Sequence, residues 1–577
     1  MKLSNYLNDN DLNKNKMKKQ IKVAFLSSFT INGIPESVKS KCKEISVDCK
    51  IFHAPYDQYS QEIINSTSQL YKFNPDITFL IISTRDLIHD DFYFYYNNNI
   101  DERKIILTKL ISKISNLIKL FQKNLDSKLV ITNFPTPTYS PYGICDFNNE
   151  FGFKEFFNSL NKKLYDEIKK FQSVYVLDFN SFIMKHGESN VFDYKQFFLG
   201  DIQISLKSIP SFADEIVGFI KPVLGLTKKC IVLDLDNTLW GGIIGEDGLE
   251  GISLSKKSPG NSFIEFQKKL LSLNNRGIIL AINSKNNYDD AMNVIRNHPD
   301  MILRENNFAC IKINWDNKVT NMKSISKELN LGLDSFVFFD DDPVNREIMR
   351  KVLPEILTVE LPKDSAQYSK ILQEISDFNV LKITDEDKNR NQMYVQNRKR
   401  IELSSDVTSL DEFLKELDIS IKIKKSDNFT IPRISQLTLK TNQFNLTTKR
   451  YQEEQIRKLS SDDKKIVSSV EVSDKFGNSG ITAVFIIEKL DHDEWNLDTF
   501  LLSCRVMGRN IENAIMSYII NQANKNGVKK ITASYIPTNK NIPCSSFLKE
   551  FGFKNIEGKW MFEINGLINI PEYIQIE

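Results

Sequence analysis

Between residues 228 and 252 the chain reads KKCIVLDLDNTLWGGIIGEDGLEGI: a short apolar run, two aspartates two residues apart, then a glycine-rich turn. Ile231, Val232 and Leu233 have the composition of a parallel strand covered on both faces. Open α/β sheets bind ligands beyond the carboxyl ends of their strands, which is where Asp234 and Asp236 fall. Side chains alternate along a strand, so both carboxylates share one face and repel unless a divalent cation or a proton lies between them. Mg²⁺, a hard cation that takes oxygen ligands, is the expected partner.

Two further apolar runs end in polar groups of the same kind. IILAINSK (278–285) leads to Ser284, and FVFFDDDPVNRE (336–347) leads to Asp340, Asp341 and Asp342; between them Lys318, in NWDNKVTNM, opens a helical segment. Carboxylates gathered at a strand end need a cation, and Asp341 or Asp340 would complete a Mg²⁺ shell with Asp234.

In this order the runs resemble the motifs of the haloacid dehalogenase (HAD) superfamily of phosphatases. The resemblance implies that Asp234 attacks phosphorus and carries an aspartyl-phosphate, that Asp236 shuttles the proton and that Thr238 supports the loop. It likewise implies that Ser284 holds phosphate and that Lys318 neutralises phosphate and nucleophile. The expected metal set is Asp234, Asp236, Asp340 and Asp341. Related sequences carry an acid where this chain has Asn345, which leaves one acidic contact open; Glu347 would replace it only if the turn differs. The loop 240–248 is expected to be the lid of the site, with Trp240 either closing on a small substrate or lying in the core.

The 577 residues suffice for three or four domains, each with its own core. Lysine and arginine (76) balance aspartate and glutamate (74), so no global field attracts nucleic acid or anionic lipid. The seven cysteines are odd in number and form no CxxC pair, which fits a reducing cytoplasm. Residues 1–20 are a polar tail without the apolar core of a signal peptide. Apolar runs such as TFLIIS are too short to span a bilayer.

Residues 21–226 alternate strands (IKVAFLSSF, CKIFHAP, DITFLIIS, LVITNF, VYVLDF) with amphipathic helices, the pattern of a doubly wound parallel sheet. The strand order resembles an SGNH-type hydrolase with Ser28 in the nucleophile's place. Asp201 is followed three residues on by Ile204 rather than histidine, and a serine without a base is a poor nucleophile. A non-catalytic, scaffold or docking role is therefore expected. Residues 227–377 form the HAD-like domain, with no room for a large cap between Thr238 and Ser284. Residues 378–403, rich in charge, suit an exposed linker helix. The overall expectation is an α/β chain of three domains, the last over residues 404–577.

In that last domain the strand DTFLLSC runs into RVMGRN, which resembles the R-x-x-G-x turn of GNAT acyltransferases, whose helix amides hold a pyrophosphate. The resemblance implies that Arg505, Gly508, Arg509 and Asn510 bind the phosphate of a phosphopantetheine arm lying between splayed strands. Asn510 replaces the second glycine common there. Cys504 is the expected acyl-carrying nucleophile. Its competitor Cys230 precedes Asp234 by four residues, about 13 Å from the catalytic edge at ~3.3 Å per residue, and reads as core.

Together VLDLDNTLWGGIIGEDGLEGI, SKNN, FDDDPVNRE, QLTLKTNQFNLTT and LLSCRVMGR make the chain similar, from about Ile21 to Phe562, to the FkbH-like family of HAD proteins. That resemblance implies a bifunctional enzyme of polyketide or polysaccharide biosynthesis. It would remove the distal phosphate of a small three-carbon substrate, 1,3-bisphosphoglycerate, and pass the glyceryl group to the phosphopantetheine thiol of an acyl carrier protein. Two other expectations stand beside it: a plain HAD phosphatase acting on a sugar or lipid phosphate, and a non-catalytic scaffold that docks a carrier protein.

Overall fold

The computed structural model describes residues 19–404 and 410–577, so the expected tail over residues 1–20 lies almost wholly outside the described residues. The chain divides into two compact units, Met1–Leu226 and Thr227–Glu577. The fold is mixed α/β. Among the described residues no helix is long and apolar enough to cross a membrane.

In the first unit β1 (Lys19–Ser27), β2 (Val47–His53), β3 (Ile77–Ile81), β4 (Lys128–Thr132) and β5 (Val174–Leu177) form one parallel sheet in the order β2-β1-β3-β4-β5. Every residue of β3 is buried, as a strand covered on both faces requires. The helix Ile100–Asn124 starts at a reciprocal cap: the Asn99 side chain accepts from the Glu102 N–H at 3.0 Å, and the Glu102 carboxylate accepts from the Asn99 N–H at 2.8 Å. Its apolar stripe, Leu107, Ile111, Ile114, Ile118 and Phe121, is buried at helical spacing. Truncating Phe121 to alanine would cost about 3–5 kcal/mol.

The second unit holds two sheets. β6 (Cys230–Leu233), β7 (Ile279–Ser284), β8 (Phe308–Ile313), β9 (Phe336–Phe339) and β10 (Leu357–Thr358) are parallel in the order β10-β9-β6-β7-β8. The chain leaves β6 towards β7 and returns to β9 on the other side. The crevice beyond β6 and β9 is therefore the switch point at which such sheets bind ligands.

The other sheet is built from β11 (Ile419–Lys425), β12 (Phe444–Asn445), β13 (Lys465–Asp474), β14 (Gly477–Lys489), β15 (Glu494–Leu502), β16 (Lys530–Ala533), β17 (Lys554–Ile556), β18 (Lys559–Glu563) and β19 (Ile574–Ile576). It is antiparallel except where β15 meets β16 and β11 meets β19. β15 and β16 pair only over Glu494–Leu497 and Lys530–Ala533, so the rest of β15 splays away. β12 fills the wedge. Phe444 and Asn445 pair with Leu502 and Leu501, the Leu446 N–H donates to Phe500 O at 3.1 Å, and Leu446 O accepts from the Ile536 N–H at 2.8 Å.

The linker reading needs correction. Much of the charge-rich stretch lies in the helix Arg390–Ser404, which buries Met393, Tyr394 and Val395 and packs on β7, β8 and β14. Its charges find partners far along the chain. Arg400 pairs with Asp474 at 2.7 Å, and Asp474 also takes Arg509 at 3.1 Å. Gly277, at φ +100°, shows how close the packing is: a Cβ there would lie 1.9 Å from Asp387 O. The two domains expected on either side of a solvated linker form one compact unit instead.

Candidate active site

Asp234 follows β6 directly, and its backbone N–H donates to Phe339 O at 3.0 Å, which holds the carboxyl ends of β6 and β9 together. Asp234, Asp340 and Asp341 each present a carboxylate oxygen within 4.8 Å of the other two. Lys318, at the first position of the helix Lys318–Glu328, reaches Oδ2 of Asp234 and Oδ2 of Asp340, both at 2.6 Å. Asp340 is 0% exposed and Lys318 5%.

One ammonium faces three carboxylates in a buried place. Burial, reinforced by the Asp234 charge, pushes the Asp340 and Asp341 carboxyls up to about 6. Burial opposes the charge on Lys318, but Asp234 and Asp340 outweigh it and hold the ammonium above its ordinary value. Three hard oxygen donors with unmet negative charge fit Mg²⁺.

Asp236 does not join that cluster, which corrects its expected place among the metal ligands. Its Oδ1 accepts from Trp240 Nε1 at 2.9 Å and the Ile244 N–H at 3.1 Å, and its Oδ2 accepts from Asn286 Nδ2 at 2.8 Å. Burial pushes its pKa up against those three hydrogen bonds, which suits a group that carries a proton. Thr238 is buried, and among the described residues its Oγ1 has no hydrogen-bond partner. Ser284 ends β7 beside β6, with Oγ 3.5 Å from Asn286 Nδ2.

The expected lid is not one. Trp240 is 0% exposed. Gly241 and Ser253 exchange backbone hydrogen bonds at 3.1 and 2.7 Å, and the Gly242 N–H donates to Asn237 Oδ1 at 2.9 Å. At Gly242, φ +92°, a Cβ would lie 2.4 Å from Asp247 Oδ2, so the glycines there pack a fixed turn. The exposed indole near this edge is Trp315, two residues beyond β8 and 71% exposed.

Sequence reasoning also missed Arg346, which donates to Asp340 O at 2.8 Å and Asp341 O at 2.6 Å and so fixes the acidic turn. Asn345 Nδ2 lies 3.4 Å from Asp340 Oδ1. Glu347 is taken up by Lys351 at 3.0 Å and does not replace the missing acid.

The expected phosphopantetheine slot departs most from expectation. The wedge between β15 and β16 is occupied by β12. Arg509 is buried and committed to Asp474 and to Asn397 Oδ1 at 2.8 Å; Arg505 lies against Met393 Sδ; Asn510, at φ 57°, donates to Tyr573 Oη at 2.5 Å. Of that set Gly508 alone is exposed, at φ +78° with open space around it. The first turn of the helix Ile511–Lys525 carries Glu512, a mostly buried acid whose Oε2 has no partner among the described residues. A carboxylate there competes with any phosphate for the helix amides.

Cys504 is half-buried and faces elsewhere. Its Sγ is 3.4 Å from Tyr394 Oη, and it packs on the cluster that contains Cys230, Val232 and Phe338. Cys230 is fully buried, and burial pushes its thiol far above the ordinary range.

In the amino-terminal unit Ser28 is 2% exposed; its Oγ donates to Asp86 Oδ2 at 2.7 Å and accepts from the Ser83 N–H at 2.9 Å. Ile204 is buried core, and Asp201 accepts from Tyr56 Oη at 2.9 Å.

Residues 22–221 match the family model described as FkbH, N-terminal domain. A crystal structure of the N-terminal part of the protein BF1531 from Bacteroides fragilis, described as containing a phosphatase domain complexed with Mg, is 29% identical. It covers 63% of this chain and 94% of its own, at a TM-score of 0.58. The ribosomal-protein-S18-alanine N-acetyltransferase of Escherichia coli is 12% identical over 26% of this chain and 96% of its own, at a TM-score of 0.21. A GNAT family acetyltransferase from Elizabethkingia anophelis is 14% identical over 24% and 78%, at 0.19. Comparison with curated proteins finds no match. Residues 22–221 are thus similar to the FkbH N-terminal domain, while the motifs that resemble the FkbH-like family lie beyond it, from Val232 onward.

Proposed function

We propose that the chain is a Mg²⁺-dependent HAD-type phosphatase working through an aspartyl-phosphate on Asp234, and that it also transfers the glyceryl group of 1,3-bisphosphoglycerate to the phosphopantetheine thiol of an acyl carrier protein. The phosphatase half is carried by one observation: Lys318 bridges Asp234 and Asp340 within a three-carboxylate cluster at the carboxyl ends of β6 and β9. The similarity to the Bacteroides fragilis phosphatase domain described with Mg supports it.

Held by Asp234, Asp340 and Asp341, Mg²⁺ would supply the positive charge that lets a phosphate dianion approach three carboxylates. Asp234 attacks phosphorus, the bond to the substrate oxygen breaks, and the leaving oxygen takes the proton from Asp236. Water then attacks the aspartyl-phosphate, gives a proton to Asp236 and releases phosphate. Lys318 would stabilise the charge on Asp234 before attack and the phosphate charge after it, Ser284 would donate to a phosphate oxygen, and Thr238 would support the loop.

The transfer half rests on the FkbH resemblance. In it the Cys504 thiolate attacks the acyl phosphate carbon and phosphate departs. The carrier thiolate then displaces Cys504 from the thioester, an exchange that is nearly isoenergetic because the same bond type breaks and forms. The amino-terminal unit serves as an SGNH-like scaffold without hydrolase chemistry, and a cytoplasmic location suits the thiol. The filled wedge between β15 and β16 favours a second reading, a plain phosphatase.

One incubation separates them. With 1,3-bisphosphoglycerate, Mg²⁺ and a pantetheinylated carrier, the bifunctional enzyme adds a glyceryl mass to the carrier, and Asp234→Asn abolishes phosphate release. Phosphate release without the adduct would leave only the plain phosphatase, and release by Asp234→Asn within about tenfold of the parent would remove the aspartyl-phosphate.

A further inference from the structure

The amino-terminal unit contains a cavity of about 550 Å³ that the phosphatase reading does not use. Its walls come from the segments just beyond the carboxyl ends of β1, β3, β4 and β5. In the order β2-β1-β3-β4-β5 the chain reverses direction at β1 and β3, so the cavity sits at the switch point where sheets of this kind take ligands. Its size falls within the ordinary range for small-molecule sites.

The lining is largely apolar and aromatic, with Phe29, Ile82, Phe92, Phe179, Ile183 and Phe197 among its walls. The rim is apolar as well. Met184 is 84% exposed and Tyr194 60%, and the helix Tyr194–Gly200 buries none of its residues. Monomeric proteins seldom leave such surface open without a use for it.

Three charged side chains line the cavity, and two are already engaged. Glu188 accepts from Thr138 Oγ1 at 2.8 and 3.0 Å. Asp193 caps the helix Tyr194–Gly200, accepting from the N–H groups of Lys195 at 3.0 Å and Gln196 at 3.2 Å. Arg85 is different. Its guanidinium lies 4.9 Å from the ring centroid of Phe197, 5.1 Å from that of Phe92 and 5.8 Å from that of Tyr93. Among the described residues no carboxylate pairs with it and no acceptor takes its N–H groups. Aromatic faces hold the planar cation in place and leave its donor edges free.

We infer that this cavity binds an amphipathic monocarboxylate, its alkyl or aryl body among the aromatic walls and its carboxylate on the Arg85 guanidinium. Guanidinium edges match a carboxylate bidentately. A phosphate monoester would bring a second negative charge to a cavity with one free cation and two carboxylates, so the monoanion is favoured. The ligand is bound and not turned over, because the Ser28 hydroxyl is 2% exposed and tied to Asp86 and Ser83.

Octanoate, 1-octanol, octylamine and inorganic phosphate are the probes, titrated calorimetrically into the full chain. Octanoate is expected to saturate at one equivalent, and octylamine and phosphate to show no saturable binding. Arg85→Gln should weaken octanoate by roughly tenfold or more while leaving 1-octanol nearly unchanged, as loss of a charged hydrogen bond predicts. Ile183→Trp, which fills the cavity, should abolish both. Far-UV circular dichroism and an unchanged pattern of limited proteolysis within residues 19–226 check that the amino-terminal unit of each variant is folded. No saturable octanoate binding, octanoate binding unaffected by Arg85→Gln in a folded protein, or equal binding of octylamine would each overturn the assignment.

Discussion

The Trp240 indole N–H donates to Asp236 Oδ1 at 2.9 Å, so a fully buried aromatic side chain aims the carboxyl proposed to carry the proton. Trp240→Phe keeps the ring and removes that donor. A hydrogen bond to a charged group contributes about 1.5–3 kcal/mol, so kcat should fall roughly 10- to 100-fold with little change in KM. Steady-state kinetics on an aryl phosphate would show this; a raised KM at constant kcat would mean that the indole contacts substrate instead.

Lys318 is the cation that bridges Asp234 and Asp340. Lys318→Met leaves those carboxylates buried together without it, a loss of about 3–5 kcal/mol for a broken buried pair. Phosphatase activity should vanish and the melting temperature fall, and millimolar Mg²⁺ should restore more stability to the variant than it adds to the parent. Equal Mg²⁺-induced shifts in the two proteins would contradict the shared-cluster geometry.

The strands that carry the chemistry, those of the parallel sheet in the second unit, were legible because their apolar runs are short, continuous and end in polar residues, as in IVLDLD and FVFFDDD. What escaped depends on distance in the chain. Nothing near Ser28 announces Asp86, 58 residues on, and nothing in NRE says that Arg346 would fold back to the carbonyls of Asp340 and Asp341. The helix Arg390–Ser404 looked solvated because its charges, read locally, had no partners; Asp474 supplies one from 74 residues away. A tryptophan beside two glycines suits a lid and a core equally, and only the packing around Asp236 decides between them.

Asp498 is the extra residue of a bulge in β15, and it pins the segment that fills the wedge. It accepts from Tyr451 Oη at 2.6 Å, from Thr499 Oγ1 at 2.9 Å and from Lys449. Burial works against its charge, but those bonds outweigh it and hold the carboxyl below its ordinary value. A depressed carboxyl contributes stability that is fully present above about pH 4, the unfolded value, and is lost as pH falls through the folded one. The parent should therefore lose more stability between about pH 5 and 3 than Asp498→Asn does, by roughly 1 kcal/mol. Parallel acid limbs in urea unfolding would refute it.

Coenzyme A tests whether the third sheet can hold a pantetheine arm at all. A pantetheine needs an open edge on β15, a cationic or amide-lined end for its phosphates, and no competing acid. β12 occupies the edge, with Asn445 O further held by Asn541 Nδ2 at 3.0 Å and Phe444 packed against Phe547 at 5.2 Å between ring centroids. Arg509 is already paired, and Glu512 stands in the first turn of the helix whose amides would serve the phosphates. Titrating coenzyme A into the full chain should give no saturable binding below about 1 mM, weaker than roughly −4 kcal/mol. Glu512→Gln alone should not rescue it, because β12 still fills the wedge. Micromolar binding to the parent would mean that Phe444 to Leu446 withdraw readily and that the wedge is a gated slot; binding gained only in Glu512→Gln would identify charge, not β12, as the barrier.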